Sequence, residues 1–239
     1  MAGTGGVGKG ILFRLQGTHP LGKNESRAAE LTDSADFCKL HIILHYVAAF
    51  AGADVPVYAV SCVGSDETGA ELLALMQKSG IRTAFMRTDA ERKTMYSVCY
   101  QFPGGEGGNI TAVNGANNQV RAEDAEAFFR TPAAAGRGIV LSAPEVPLEA
   151  RIAMLREGRR HGSLTVSSVL SGEMESFSRM GGFALTDLLA VNEDEAAALA
   201  QALPGAPGDD PVARSFHALQ RQNPQLLLAV TRGKRGSVL

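Results

Sequence analysis

The sequence predicts an α/β protein, a mostly parallel sheet flanked by helices with a small β appendage. Three observations carry this. Short apolar runs of strand length alternate with helix-length segments through most of the 239 residues. The connections between those runs are long enough for helical crossovers, which parallel strands require. A glycine-rich stretch at 103–108 breaks the rhythm in the manner of a hairpin loop.

Taken in order, residues 11–15 alternate as a strand, and residues 36–50, rich in Leu, Ile, Val and Ala, read as a helix. Between them, Asp33, Asp36 and the charged cluster 23–27 read as a solvated loop. Residues 57–63 are a buried strand ending in a turn at Gly64, followed by a helix over 67–79 that Gly80 stops. A strand begins at Ile81, and strands at 95–102 and 109–114 flank the glycine-rich loop. Residues 122–129 form a short helix whose first turn carries Glu123 and Asp124. From there the alternation is regular. Strand 138–142 precedes helix 148–161 and strand 164–169; strand 188–191 precedes helices 193–202 and 212–222, then strand 225–230. The Pro- and Gly-rich segment 203–211 is the most loop-like part of the chain.

Composition narrows the class. With 45% hydrophobic and 20% charged residues, the chain fits one large globular domain. A net charge of −2 gives no reason to expect nucleic acid or an anionic membrane as partner. No apolar run reaches bilayer length, and the first ten residues lack the basic and apolar regions of a secretory signal. Cys38, Cys62 and Cys99 are odd in number and widely spaced, so they read as reduced thiols of a cytoplasmic protein.

In parallel sheets, ligands bind beyond the carboxyl ends of the strands. Asn192 ends one such strand and opens the run Asn192-Glu193-Asp194-Glu195; Thr231 ends another and opens T-x-G-x-x-G with Gly233 and Gly236. Glycines there let backbone N–H groups approach an anion. Two plainer readings stand beside this one: Asn192 and Glu195 as a helix cap, and Thr231 to Gly236 as an ordinary hairpin turn.

The pair N-x-x-E and T-x-G-x-x-G on successive strands resembles the ribokinase/PfkB family of carbohydrate kinases. Val63-Gly64-Ser65-Asp66-Glu67-Thr68-Gly69 is similar to the family's V-G-x-D-x-x-G, Asn114-Gly115-Ala116-Asn117 to its G-A-N, and Glu145-Val146-Pro147-Leu148-Glu149 to its E-x-P-x-E. The resemblance covers residues 57–239 and implies a ribokinase-like fold with a small β-lid at 11–30 and 96–114. It also implies ATP and Mg²⁺ as cofactors and a sugar or nucleoside-like alcohol as substrate. Asn192, Glu195, Thr231, Gly233 and Gly236 would hold the nucleotide, with Glu195 reaching the metal through water. Glu145 would face the substrate, Gly5 and Gly6 read as lining its side, Lys39 reads as a substrate contact or as a solvated helix residue, and a homodimer through the lid is an expectation. The segment 36–41 lacks the family's G-G-x-x-x-N, and Ser167 and Ser168 stand where an aspartate often follows the strand. No G-A-G-D, the loop bearing the family's catalytic aspartate, follows Gly236. The resemblance therefore places the catalytic base beyond Leu239 and assigns no catalytic residue within the chain. This polypeptide is expected to lack useful turnover and to expose a sheet edge prone to self-association.

Three motifs invite other readings. Residues 3–10 nearly spell a Walker A loop, which would make the chain a P-loop NTPase, but Gly10 replaces the Mg²⁺-binding hydroxyl and 11–15 alternates as a strand. These glycines read instead as leading into the first strand and lining the substrate side. Residues 205–209 mimic G-A-G-D but precede the glycine turn, and Pro207 lacks an N–H. Cys38, His41 and His45 share a helix face without an evident fourth metal ligand, and read as a half-buried face. A non-catalytic sugar- or nucleotide-binding module is the alternative of a different class.

Overall fold

Eight strands build the main sheet of the structure, a computed structural model that describes residues 1–52, 54–203 and 210–239. In spatial order they are β12 (Ser237–Val238), β11 (Leu227–Thr231), β10 (Leu188–Asn192), β9 (Leu164–Ser167), β8 (Ile139–Ser142), β1 (Ala2–Thr4), β4 (Val57–Gly64) and β5 (Ile81–Asp89). Every neighbouring pair is parallel except β11 with β12. Helices cover both faces, as parallel sheets require. Successive β4 side chains divide between them. Val57, Ala59 and Val63 join Leu40, Leu44, Leu72 and Met76 of α1 (Lys39–Ala51) and α2 (Glu67–Lys78). Tyr58 and Val60 join Phe128, Phe129 and Met154 of α3 (Ala122–Phe129) and α4 (Leu148–Arg160). A further core gathers Phe177, Phe183, Leu189, Leu199, Leu219 and Val230 around α5 (Met174–Arg179), α6 (Glu193–Ala202) and α7 (Pro211–Gln220).

A second sheet orders β3 (Ala29–Phe37), β2 (Gly8–Leu15), β6 (Met95–Gln101) and β7 (Gly107–Thr111). Its strands depart from the expected bounds 11–30 and 96–114. Residues 29–37 form a strand where sequence suggests loop and helix start, and α1 begins only at Lys39. The polar side chains of 29–35 are exposed, so no apolar alternation announces the strand; pairing with β2 defines it.

The shortest central strand is also hidden from sequence. Ala2–Thr4 lies between β4 and β8, fully buried. Three residues cannot display a period, yet a Cβ on Gly3 would come within 2.8 Å of Leu40. After it, residues 5–7 cross to the second sheet. Strand β12 and helix α5 likewise have no counterpart in the sequence reading.

Candidate functional site

Seven parallel strands end on one rim, in the order β11, β10, β9, β8, β1, β4, β5. Asn192 and Thr231 are register partners there, so the two motifs lie side by side. Three inter-strand steps separate β8 from β11, about 14 Å at ~4.8 Å each, the scale of a phosphate chain with a small acceptor.

At the β10–β11 end, Asn192 and Glu195 form a reciprocal cap. Asn192 Oδ1 accepts from Glu195 N at 2.8 Å, and Glu195 Oε2 accepts from Asn192 N at 2.9 Å. The plain capping reading is therefore realised, and it consumes only part of each side chain: the Asn192 amide N–H₂ takes no part in the cap. Glu195 is buried, and its Oε1 accepts from Lys39 Nζ at 3.2 Å. Beyond Thr231, a short turn at Gly233–Arg235 brings β12 back against β11, so the hairpin reading also holds. Gly233 and Gly236 have φ of 54° and 81°, and a Cβ on either would meet nothing within 4 Å. Conformation, not crowding, calls for glycine there, and the space above the turn is open. Arg235 Nη2 donates to both Glu193 oxygens at 2.6 and 2.5 Å. Leu239 directly follows β12 and is 81% exposed.

At the β8–β1 end lies a cavity of about 550 Å³ lined by Met95, Asn109, Asn117, Glu145, Leu170 and Glu173, among others. Glu145 follows β8 with φ of 74°, a left-handed conformation costing ~1–2 kcal/mol for a residue with a Cβ. Asn117 Nδ2 donates to its carbonyl. The acceptors Glu145 Oε2 and Asn117 Oδ1 are both buried without a partner. Burial holds the Glu145 carboxyl above its ordinary range, a shift opposed by nearby Lys39 and by the neighbouring Cys38 thiol. The same burial pushes the Cys38 thiol up. Gly6 abuts this carboxylate: a Cβ there would lie 2.7 Å from Oε2. Gly5 is packed against Ala143. Lys39 does not line the cavity; its ammonium spans the two halves, bonding Ser168 Oγ at 3.3 Å as well as Glu195.

Two residues that sequence does not single out, Arg151 and Glu173, underlie this floor. Arg151, fully buried on α4, donates to Ser142 Oγ at 3.2 Å, Ser168 O at 2.5 Å and Glu173 Oε2 at 2.7 Å. The available signal is its spacing, three residues after Leu148 and four before Leu155, which places a guanidinium on the apolar face of α4.

The remaining motifs resolve differently. Residues 8–15 form β2 rather than a helix, so no phosphate-binding helix follows the glycines, and Lys9 pairs with Glu71 at 2.8 Å. Residues 205–209 lie outside the described residues. Among the described residues no group of three His, Cys, Asp or Glu is disposed to hold a metal. His41 stacks on Phe37, and burial lowers its pKa to about 4. Glu195, whose oxygens already accept from Asn192 N and Lys39 Nζ, is the rim carboxylate that would reach a Mg²⁺ ion through water. A second cavity of about 600 Å³ opens at the opposite, amino-terminal rim between Val55, Pro56, Phe129 and Ile139. Among the described residues no helix is long and apolar enough to cross a membrane.

A family model described as pfkB family carbohydrate kinase matches residues 46–239. Ribokinase from Giardia lamblia superposes with a TM-score of 0.75 at 18% identity, over 99% of this chain and 70% of that one. Ribokinase from Cryptococcus neoformans var. grubii serotype A, in complex with ADP, gives 0.74 at 20% identity, over 99% and 74%. The Burkholderia thailandensis nucleoside kinase, in complex with inosine, gives 0.70 at 11% identity, over 99% and 72%. No curated protein matches.

Proposed function

This chain belongs to the pfkB family of carbohydrate kinases, and we propose that it binds a sugar or nucleoside-like alcohol beside ATP for phosphoryl transfer to a hydroxyl. The observation that carries this reading is the pair of unpartnered buried acceptors, Glu145 Oε2 and Asn117 Oδ1, on two residues that line the cavity beyond β8. An unpaired buried acceptor calls for a donor that the chain does not supply, and a substrate hydroxyl is one such donor. The ADP and inosine bound to the Cryptococcus and Burkholderia enzymes support the two ligand classes.

In this reading the Asn192 amide and Thr231 hydroxyl donate to phosphate oxygens, and backbone N–H groups around Gly233 and Gly236 complete the cradle. Lys39 stands between phosphate and acceptor, where it opposes the charge building on the moving group. Mg²⁺, held at Glu195 through water, supplies further neutralisation when bound. Gly5 and Gly6 keep the backbone close to the acceptor. The second sheet acts as a lid over the cavity through Met95, Asn109 and Thr111. Its exposed Leu31, Tyr96 and Ile110 suit a homodimer through that sheet. The action is cytoplasmic, where Cys38, Cys62 and Cys99 stay reduced.

Calorimetric titration with ribose, inosine and ADP tests the reading. Binding of ADP and of one polyol supports it, whereas binding of neither contradicts it.

A further inference from the structure

The cavity holds a second acid whose placement the substrate reading leaves unexplained. Glu173 lines it, on the short turn between β9 and α5. Its Oε2 accepts from Arg151 Nη1 at 2.7 Å and from Leu170 N at 3.2 Å; Oε1 enters neither bond. The side chain of Arg151 is wholly buried, that of Glu173 24% exposed. Arg151 spends its remaining donors on the ends of two rim strands, at Ser142 of β8 and Ser168 after β9. Its guanidinium also lies over the Phe177 ring, 5.5 Å from the centroid.

A buried ion pair is a poor way to stabilise a fold, since apolar residues of similar volume often serve as well or better. This pair bonds the termini of strands that frame the cavity, and it ties one carboxylate down by a single oxygen. Glu173 also raises the proton affinity of Glu145, which places the two acids within each other's field. Arg151 and Lys39 oppose that repulsion. Two carboxylates kept together at the cost of mutual repulsion imply a ligand that donates to both.

We propose that Arg151 is a positioning residue that holds Glu173 as a second substrate-binding carboxylate beside Glu145, so that the cavity grips a polyol through at least two hydroxyl donors. The inference rests on the reading of this cavity as the substrate site. It follows that uncharged polyols are favoured over sugars bearing a carboxylate or phosphate, which two acids repel.

The test compares the wild-type chain, Glu173→Gln, and the double variant Arg151→Met, Glu173→Leu. Each is taken through thermal melting and titration with ribose, inosine, gluconate and ADP. We expect the double variant to melt within a few degrees of wild type or higher, Glu173→Gln to melt lower because Arg151 keeps an uncompensated buried charge, and ADP to bind all three alike. Polyol affinity falls tenfold or more in each variant, and gluconate gains on the polyol. A merely structural pair would do the reverse, lowering the melting temperature of the double variant and leaving polyol affinity of the folded protein unchanged; that result overturns the proposal. If wild type binds ADP but neither polyol, the parent reading of the cavity fails and the inference with it. If polyol binds wild type and Glu173→Gln equally, the inference alone fails.

Discussion

Single side chains here carry opposed demands of stability and binding. Burial holds the Glu145 carboxyl above its ordinary 4.5, so the folded chain binds that proton more tightly than the unfolded one. Its contribution to stability is full below pH ~4.5 and is lost as pH rises through the folded value. Glu145→Gln is therefore expected to melt higher than wild type at pH 8 and level with it near pH 4, while losing polyol binding tenfold or more. Melting curves across pH check the first half, and a lower melting temperature at pH 8 would refute it. His41 runs the other way. With a folded pKa of about 4 against 6.5, it favours the folded state above pH 6.5 and gives up ~3 kcal/mol by pH 4. His41→Leu should flatten the acid limb of the stability profile, which urea melts at pH 7 and pH 4 would reveal. The acid of Glu145 is legible from its motif. Its buried, unpartnered oxygen is not, because that depends on Gly6, Met95 and Cys38 arriving from other elements.

Elements with strong local signals match their sequence reading, and elements defined by partners do not. The apolar run of β4 and the cap at Asn192 are written within a few residues of chain. Strand β3 is polar and exposed and exists through its ladder with β2; β1 is three residues long and exists through β4 and β8. The lid bounds differ from expectation for that reason. The reciprocal cap of α6 yields a prediction at this scale. Asn192→Ala removes the acceptor for Glu195 N and should lower stability by ~1 kcal/mol. If the amide also serves phosphate, ADP affinity falls in the folded variant, whereas loss of stability alone would leave Asn192 a cap and nothing more. Gly236→Ala forces a φ of 81° on a residue with a Cβ and should cost ~1–2 kcal/mol while weakening ADP. Urea denaturation and titration separate the two effects.

Across the whole molecule, sheet order does what no motif could. It sets Thr231, Asn192, Ser168 and Glu145 on consecutive strand ends, so residues far apart in sequence share one rim. Lys39, from the start of α1, reaches two of those ends at once. Sequence places Asn192 and Thr231 on neighbouring termini because alternation dictates parallel strands, but it cannot place Arg151 beneath them. The exposed apolar residues of the second sheet make a prediction about assembly: light scattering at rising concentration should show a dimer that Ile110→Lys with Leu31→Lys converts to monomer. The central claim is that one rim binds two ligands at separate ends. Titrating ribose or inosine into Glu145→Gln and Asn192→Ala, each with and without ADP, tests it most directly. On this account Glu145→Gln loses the polyol and keeps ADP, and Asn192→Ala does the opposite. Equal losses of both ligands in both variants, or of neither, would contradict it.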